Sequence, residues 1–245
     1  MELDKIYTED CLETLGRMDD NSIDLIITSP PYNKGYWAAN PNCSHFENKR
    51  RPIDYGIYKD KMPPEEYEKW QRSILDECIR VIKPEGSIWY NHMDILSRNR
   101  CIHPTYVWDY PVKQMIIWNR KTTPKLAKYF FFPTTEYLYW IGKCQNKRPY
   151  FDKASADYKG VIWQIEPDRH NNHPAPFPIE IPSNIIKCCS KEGDVVYDPF
   201  MGSGTVAKAA RDLGRHYIGS ELNPNYVIMS EERLSYANGS KTAAD

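Results

Sequence analysis

The sequence predicts an α/β fold, on three observations. Short apolar, β-branched or aromatic runs recur along its 245 residues, at 23–27, 87–90, 115–118, 137–141, 195–197 and 217–220, and runs of that length and composition read as strands. Windows of helical periodicity lie between several of them. The clearest is 63–83, where Tyr67, Trp70, Ile74, Leu75, Cys78, Ile79 and Ile82 share one face. Two of the strands run straight into turn-forming sequences, at 29–32 and 198–205, as ligand-binding loops do at the carboxyl edge of open α/β sheets.

Taken in order, residues 5–8 form a short strand, and Asp10 is placed to N-cap a helix over 11–18. Asp19-Asp20-Asn21-Ser22 turns the chain into the strand at 23–27, broken only by Asp24. Pro30 and Pro31 cannot donate to a ladder and restrict the residue before them, so that strand ends in a stiff elbow. Residues 34–62 lack periodicity but hold Tyr36, Trp37, Phe46, Tyr55, Tyr58 and the basic trio Lys49-Arg50-Arg51. So long an irregular stretch beside an elbow reads as a lid over bound substrate. Pro63 and Pro64 open the next helix, with Glu65 and Glu66 in its first turn. Pro84-Glu85-Gly86 reads as a turn into the strand at 87–90. The strands at 115–118 and 137–141 precede a polar, basic segment at 143–172 with little regular pattern. A proline-rich run, His173-Pro174-Ala175-Pro176-Phe177-Pro178, leads into a helix over 179–188. Strand 195–197, the loop at 198–205, a helix over 206–213, strand 217–220 and a helix over 225–234 complete the chain. One domain over 1–237 results, and 238–245 reads as a disordered tail.

Composition narrows the classes. With 41% hydrophobic and 27% charged residues, the chain matches a soluble globular enzyme. It shows no signal peptide and no membrane-length apolar run, so the cytoplasm is the default location and no membrane partner is expected. Its seven cysteines show no C-x-x-C spacing and read as reduced thiols rather than a disulfide framework or zinc site. His170 and His173 are spaced H-x-x-H without a third ligand nearby, so no metal is expected. The net charge of −1 is unevenly spread: ten basic residues face three acidic ones between Lys113 and Lys159. That asymmetry suits a phosphate-binding face on an otherwise acidic protein.

The two strand-end sequences carry the chemistry. The elbow presents a hydroxyl (Ser29), a carbonyl without a local N–H partner (Pro30) and an aromatic face (Tyr32), a set suited to gripping a planar, amine-bearing base. In Asp198-Pro199-Phe200-Met201-Gly202-Ser203-Gly204-Thr205, Gly202 and Gly204 permit positive φ and a close approach of ligand to backbone. Glu221 closes the next strand, placed as a carboxylate that accepts from ribose hydroxyls. An adenosine-containing cofactor fits. No Gly-Lys-[Ser/Thr] follows, so the loop is not a Walker A loop, and it is not a dinucleotide G-x-G-x-x-G.

With both motifs in this order, the chain resembles the β-group of S-adenosylmethionine-dependent DNA amino-methyltransferases from about residue 6 to 234. In that group a [Ser/Asp/Asn]-Pro-Pro-Tyr precedes a Phe-x-Gly-x-Gly cofactor loop. The resemblance implies a Rossmann-like methyltransferase fold: a mainly parallel seven-stranded sheet, one strand antiparallel, in circularly permuted motif order. It implies catalytic roles for Ser29, Pro30, Pro31 and Tyr32. It implies S-adenosyl-L-methionine contacts from Asp10, Thr28, Phe177, Asp198, Pro199, Phe200, Gly202, Ser203, Gly204, Thr205, Glu221 and Asn223. Asp10 follows Glu9 here, where the family often has Gly-Asp. Target recognition is expected from 143–172, and contacts to double-stranded DNA from Lys49, Arg50, Arg51, Lys121, Lys147 and Arg148. A homodimer and a cognate restriction endonuclease are further partners the resemblance leaves open. Ser-Pro-Pro-Tyr is commoner among cytosine-N4 than adenine-N6 enzymes, so N4 of a flipped cytosine is the expected target and N6 of adenine the alternative. Cytosine C5 chemistry is disfavoured, since no cysteine follows a proline. A dehydrogenase would leave the Pro-Pro-Tyr elbow unexplained, and a non-catalytic nucleic-acid-binding module would leave both motifs idle.

Overall fold

The computed structural model describes residues 1–39, 57–58, 60–97, 100–121, 131, 133–168 and 177–235. In chain order these form β1 (Lys5–Tyr7), α1 (Cys11–Gly16), β2 (Ile23–Thr28), α2 (Lys34–Ala39), α3 (Pro64–Val81), β3 (Ile82–His92), a hairpin of β4 (Ile95–Ser97) and β5 (Arg100–Ile102), β6 (Val112–Asn119) and β7 (Thr135–Gly142). Then follow β8 (Ile162–Gln164), α4 (Glu180–Cys189), β9 (Val195–Asp198), α5 (Thr205–Asp212), β10 (His216–Ser220) and α6 (Pro224–Ser235). Asp10 caps α1 as its position predicts, its side chain accepting from the Leu12 N–H at 2.8 Å.

Among the described residues, eight strands make one sheet in the order β1-β10-β9-β2-β3-β7-β6-β8. Only β7 runs against its neighbours, antiparallel to both β3 and β6. The sheet thus has one strand more than expected. The addition is β8, which pairs parallel with β6 inside the segment assigned to target recognition; three residues are too few to show a period. Its Trp163 is buried beside Trp89, with ring centroids 6.0 Å apart, and is a core residue. Two other local expectations change. Pro84-Glu85-Gly86 does not precede a strand but bulges out within β3, whose pairing jumps from Ile23↔Ile82 to Leu25↔Ser87. Residues 34–39, read as irregular, form α2; 40–56 and 59 of the expected lid and the tail at 238–245 lie outside the described residues.

Helices cover both faces. Leu25 and Ile27 pack with Ile181, Ile185, Val206 and Ala210 of α4 and α5 on one side, while Ile26 packs with Leu15, Ile74 and Leu75 of α1 and α3 on the other. β2 is fully buried because it is sandwiched, hence its near-continuous apolar run. Asp24, the exception, joins three strands: its carboxylate accepts from Lys83 Nζ at 2.7 Å and from the Val195 N–H at 3.0 Å. With β1, β10, β9, β2 and β3 parallel, their carboxyl ends share one edge. β7 starts at that edge and ends at the opposite one.

Candidate active site

A cavity of about 280 Å³ opens at this shared edge. The four elbow residues Ser29, Pro30, Pro31 and Tyr32 line one half. The Tyr67 hydroxyl donates to the Pro31 carbonyl at 2.8 Å, so Pro31 shapes the turn, while no described residue donates to the Pro30 carbonyl. The chain beyond is clamped: Asn33, at φ +56°, exchanges two hydrogen bonds with the Met62 backbone, and the Lys34 N–H donates to Asp60 at 2.8 Å. The Tyr32 ring is buried, 4.9 Å from the His92 ring and 4.9 Å from Lys34 Nζ. Burial holds the Lys34 ammonium below its ordinary pKa, opposed by the nearby Glu136 carboxylate. Burial pushes His92 down to about 4, so its ring is neutral near pH 7.

A polar network backs the elbow. Ser29 Oγ lies 2.8 Å from the Tyr32 hydroxyl, which donates to Glu136 Oε2 at 3.0 Å. Asn91 Nδ2, at the end of β3, donates to the same carboxylate oxygen at 2.9 Å and to the Tyr32 hydroxyl. Arg120 donates to Glu136 Oε1 at 2.9 Å. Glu136 is itself only 6% exposed; an acid so deep requires such partners.

The other half of the cavity is acidic and aromatic. Asp198, at the end of β9, is pushed up to about 7 by burial, against the Phe200 N–H and the Thr28 hydroxyl, which favour its charged form. Glu221 follows β10; burial raises its pKa too, while the Gly202 and Asn223 N–H groups donate to it at 2.9 and 2.8 Å. The loop between β9 and α5 needs its glycines. Gly202 and Gly204 sit at φ +52° and +76°, and a Cβ on Gly204 would stand 2.8 Å from Ser230 Cβ. Phe200 packs edge-on to Trp70 at 5.7 Å, and Phe177 to Trp118 at 6.1 Å, walling the cavity with rings.

Most of the residues expected at the site therefore meet there, including Asp10, Phe177, Pro199, Ser203 and Thr205. Three stand behind it. Thr28 is buried beside Asp198, Gly204 packs on Ser230, and the Asn223 side chain accepts from the Asn225 N–H at 3.0 Å, capping α6. Among the basic residues expected on DNA, Lys121 follows Arg120 at the cavity edge. Lys147 and Arg148 do not belong with it. They follow the far end of antiparallel β7, where Lys147 pairs with Glu85 at 3.4 Å, so they lie across the sheet from the cavity. Lys49, Arg50, Arg51, His170 and His173 lie outside the described residues. Sequence reasoning missed Lys34, Asn91, Arg120 and Glu136. Only Glu136 left a signal, a lone acid in the apolar strand Thr-Glu-Tyr-Leu-Tyr-Trp.

Comparison with known proteins agrees with this layout. The family model for N6/N4 DNA methylases matches residues 23–232. Over 95% of its length the chain is 29% identical to the Type II methyltransferase M.BglII of Bacillus subtilis, covering 69% of that protein. It is 27% identical to the Type II methyltransferase M.HinfI of Haemophilus influenzae, over 95% of this chain and 68% of that one. Among solved structures, the PvuII DNA methyltransferase (cytosine-N4-specific) superposes with a TM-score of 0.74 at 20% identity, covering 98% of this chain and 89% of that one. A putative DNA modification methylase of Thermus thermophilus, TTHA0409, complexed with S-adenosyl-L-methionine, superposes at 0.67 with 24% identity, covering 94% and 93%. The chain belongs to the N6/N4 DNA methylase family.

Proposed function

We propose that this protein transfers a methyl group from S-adenosyl-L-methionine to an exocyclic amino nitrogen in double-stranded DNA, with N4 of cytosine as the target. The observation that carries the reading is that the Ser29–Tyr32 elbow and the glycine loop before α5 open into one cavity. The residues fit the cofactor. Gly202, at positive φ, lines the cavity and lets the loop backbone come close to a ligand, Glu221 is held where it can accept from ribose hydroxyls, and the buried Asp198 matches a cationic ligand. When bound, the cofactor supplies an electrophilic methyl group on a sulfonium.

The protein's own groups do the rest. An aromatic amine is a poor nucleophile because its lone pair is delocalised into the ring. Ser29 Oγ and the Pro30 carbonyl are placed to accept its two N–H groups, which favours a pyramidal nitrogen and stabilises the positive charge developing on it. The apolar and aromatic lining excludes water and holds the base in line. A base stacking on Tyr32 displaces the Lys34 ammonium from that ring face. Support for cytosine comes from the serine at the head of the elbow and from the cytosine-N4-specific PvuII enzyme among the structural neighbours. The relatives being Type II methyltransferases supports a cognate restriction endonuclease as a partner. Mass spectrometry of nucleosides from DNA incubated with protein and cofactor tests the reading. N4-methylcytosine is expected; N6-methyladenine would keep the chemistry and overturn the base, and neither product would overturn the function.

A further inference from the structure

We propose that Glu136 is a positioning residue that acts through Tyr32: it fixes the Ser29 hydroxyl as a hydrogen-bond acceptor and is the final destination of the proton that the amino group sheds. The inference rests on the methyl-transfer reading above. It follows from counting hydrogens in the network behind the elbow. Arg120 donates to one carboxylate oxygen of Glu136, and Asn91 Nδ2 and the Tyr32 hydroxyl donate to the other, at 2.9, 2.9 and 3.0 Å. A carboxylate has no hydrogen to give, and a tyrosine hydroxyl has one. That one is committed to Glu136, so the Tyr32 oxygen can only accept from Ser29, 2.8 Å away. Asn91 donates to the same tyrosine oxygen and so opposes the reverse arrangement.

Ser29 also accepts from Asn91 Nδ2 at 3.3 Å, and is left with one lone pair for the cavity and no hydrogen to offer. In that state it welcomes an amino N–H and repels a carbonyl oxygen, which would separate cytosine and adenine from bases presenting a carbonyl at the same point. A neutral serine joined by a hydroxyl to a buried carboxylate is also polarised toward accepting. The same chain supplies a route for the proton. As the nitrogen lone pair forms the new C–N bond, the carbon–sulfur bond breaks with its electrons left on sulfur, and the nitrogen carries one proton too many. That proton passes to Ser29 Oγ, the serine proton to the Tyr32 oxygen, and the tyrosine proton to Glu136 Oε2. A neutral methylated amine and a carboxylic acid remain.

The test uses Glu136→Gln, Tyr32→Phe and the double variant in the full chain. Glutamine keeps the shape and one acceptor oxygen but cannot take the proton; phenylalanine keeps the ring and cuts the chain. Each single variant should lower the single-turnover methyl-transfer rate at least roughly tenfold, with cofactor affinity, measured by calorimetry without DNA, unchanged. The double variant should lose no more than the worse single one, because both interrupt one path. Losses that multiply, or a single variant at the wild-type rate, overturn the proposal. A readout independent of turnover is the infrared difference between wild type and Glu136→Gln at neutral pH. A carboxylate band is expected, and a protonated-carboxyl band overturns the assigned polarity. If the wild type methylates no DNA, the functional reading fails instead, and the infrared result alone decides the polarity of the network.

Discussion

Cofactor affinity should depend on pH through Asp198. Burial sets its pKa at about 7, so about nine-tenths of the carboxyl groups are ionised at pH 8 and about one-tenth at pH 6. A cationic ligand seated against the group returns its pKa toward the ordinary carboxylate range. Linkage then sets the size: S-adenosyl-L-methionine should bind about tenfold more weakly at pH 6 than at pH 8, about 1.4 kcal/mol, with about three-quarters of that loss falling below pH 7. Binding at pH 7 should release about half a proton from this group. Titration calorimetry in buffers of differing ionisation enthalpy measures both quantities. The ligand's α-amino group titrates near pH 8, so Asp198→Asn is the reference: it should bind more weakly at pH 8 and lack the Asp198 part of the slope. A wild-type slope and proton release equal to those of the variant would refute the assignment of Asp198 to the cofactor's positive charge.

Other outcomes follow from the same geometry. Ser29→Ala should keep cofactor affinity and lose turnover by roughly tenfold or more, read by calorimetry and by methyl incorporation; near-normal turnover removes Ser29 from the chemistry. Gly204→Ala combines a left-handed backbone with a Cβ 2.8 Å from Ser230. It should destabilise the fold by about 1–3 kcal/mol and weaken cofactor binding, seen as a lower denaturant midpoint and a higher dissociation constant. Lys121→Ala should reduce the slope of log affinity for DNA against log salt by about one, whereas Lys147→Ala should leave it unchanged. Equal effects from both lysines would contradict the expectation that DNA meets the cavity edge and not the far end of β7.

What could be read from the sequence, and what could not, divides along the range of the forces involved. Capping by Asp10, the proline-terminated strand, the amphipathic face of α3 and the positive-φ glycines are each fixed by a few neighbouring residues, so local pattern suffices. The two motifs were legible for the same reason. Strand pairing is different: β8 is a strand because β6 offers it an edge, and Pro84-Glu85-Gly86 stays within β3 because β2 and β7 hold the strand on either side.

The orientation of β7 had the largest consequence. Since it runs against its neighbours, its first residues reach the cavity and its last do not. Glu136, an acid that strand propensity would discount, is thereby brought to the Ser29–Tyr32 elbow, while Lys147, in a stretch of strongly positive charge, is carried away from it. A motif search finds Ser29 because its function is encoded beside it. Glu136 lies 104 residues from Tyr32 in the chain and touches it only because β3 separates β2 from an antiparallel partner. The hydrogen-bond partners behind Ser29 and Tyr32 are thus properties of the sheet order, and a variant that shifted the register of β7 by one residue would turn Glu136 to the other face. Such a change would remove the carboxylate from the cavity while leaving both sequence motifs intact.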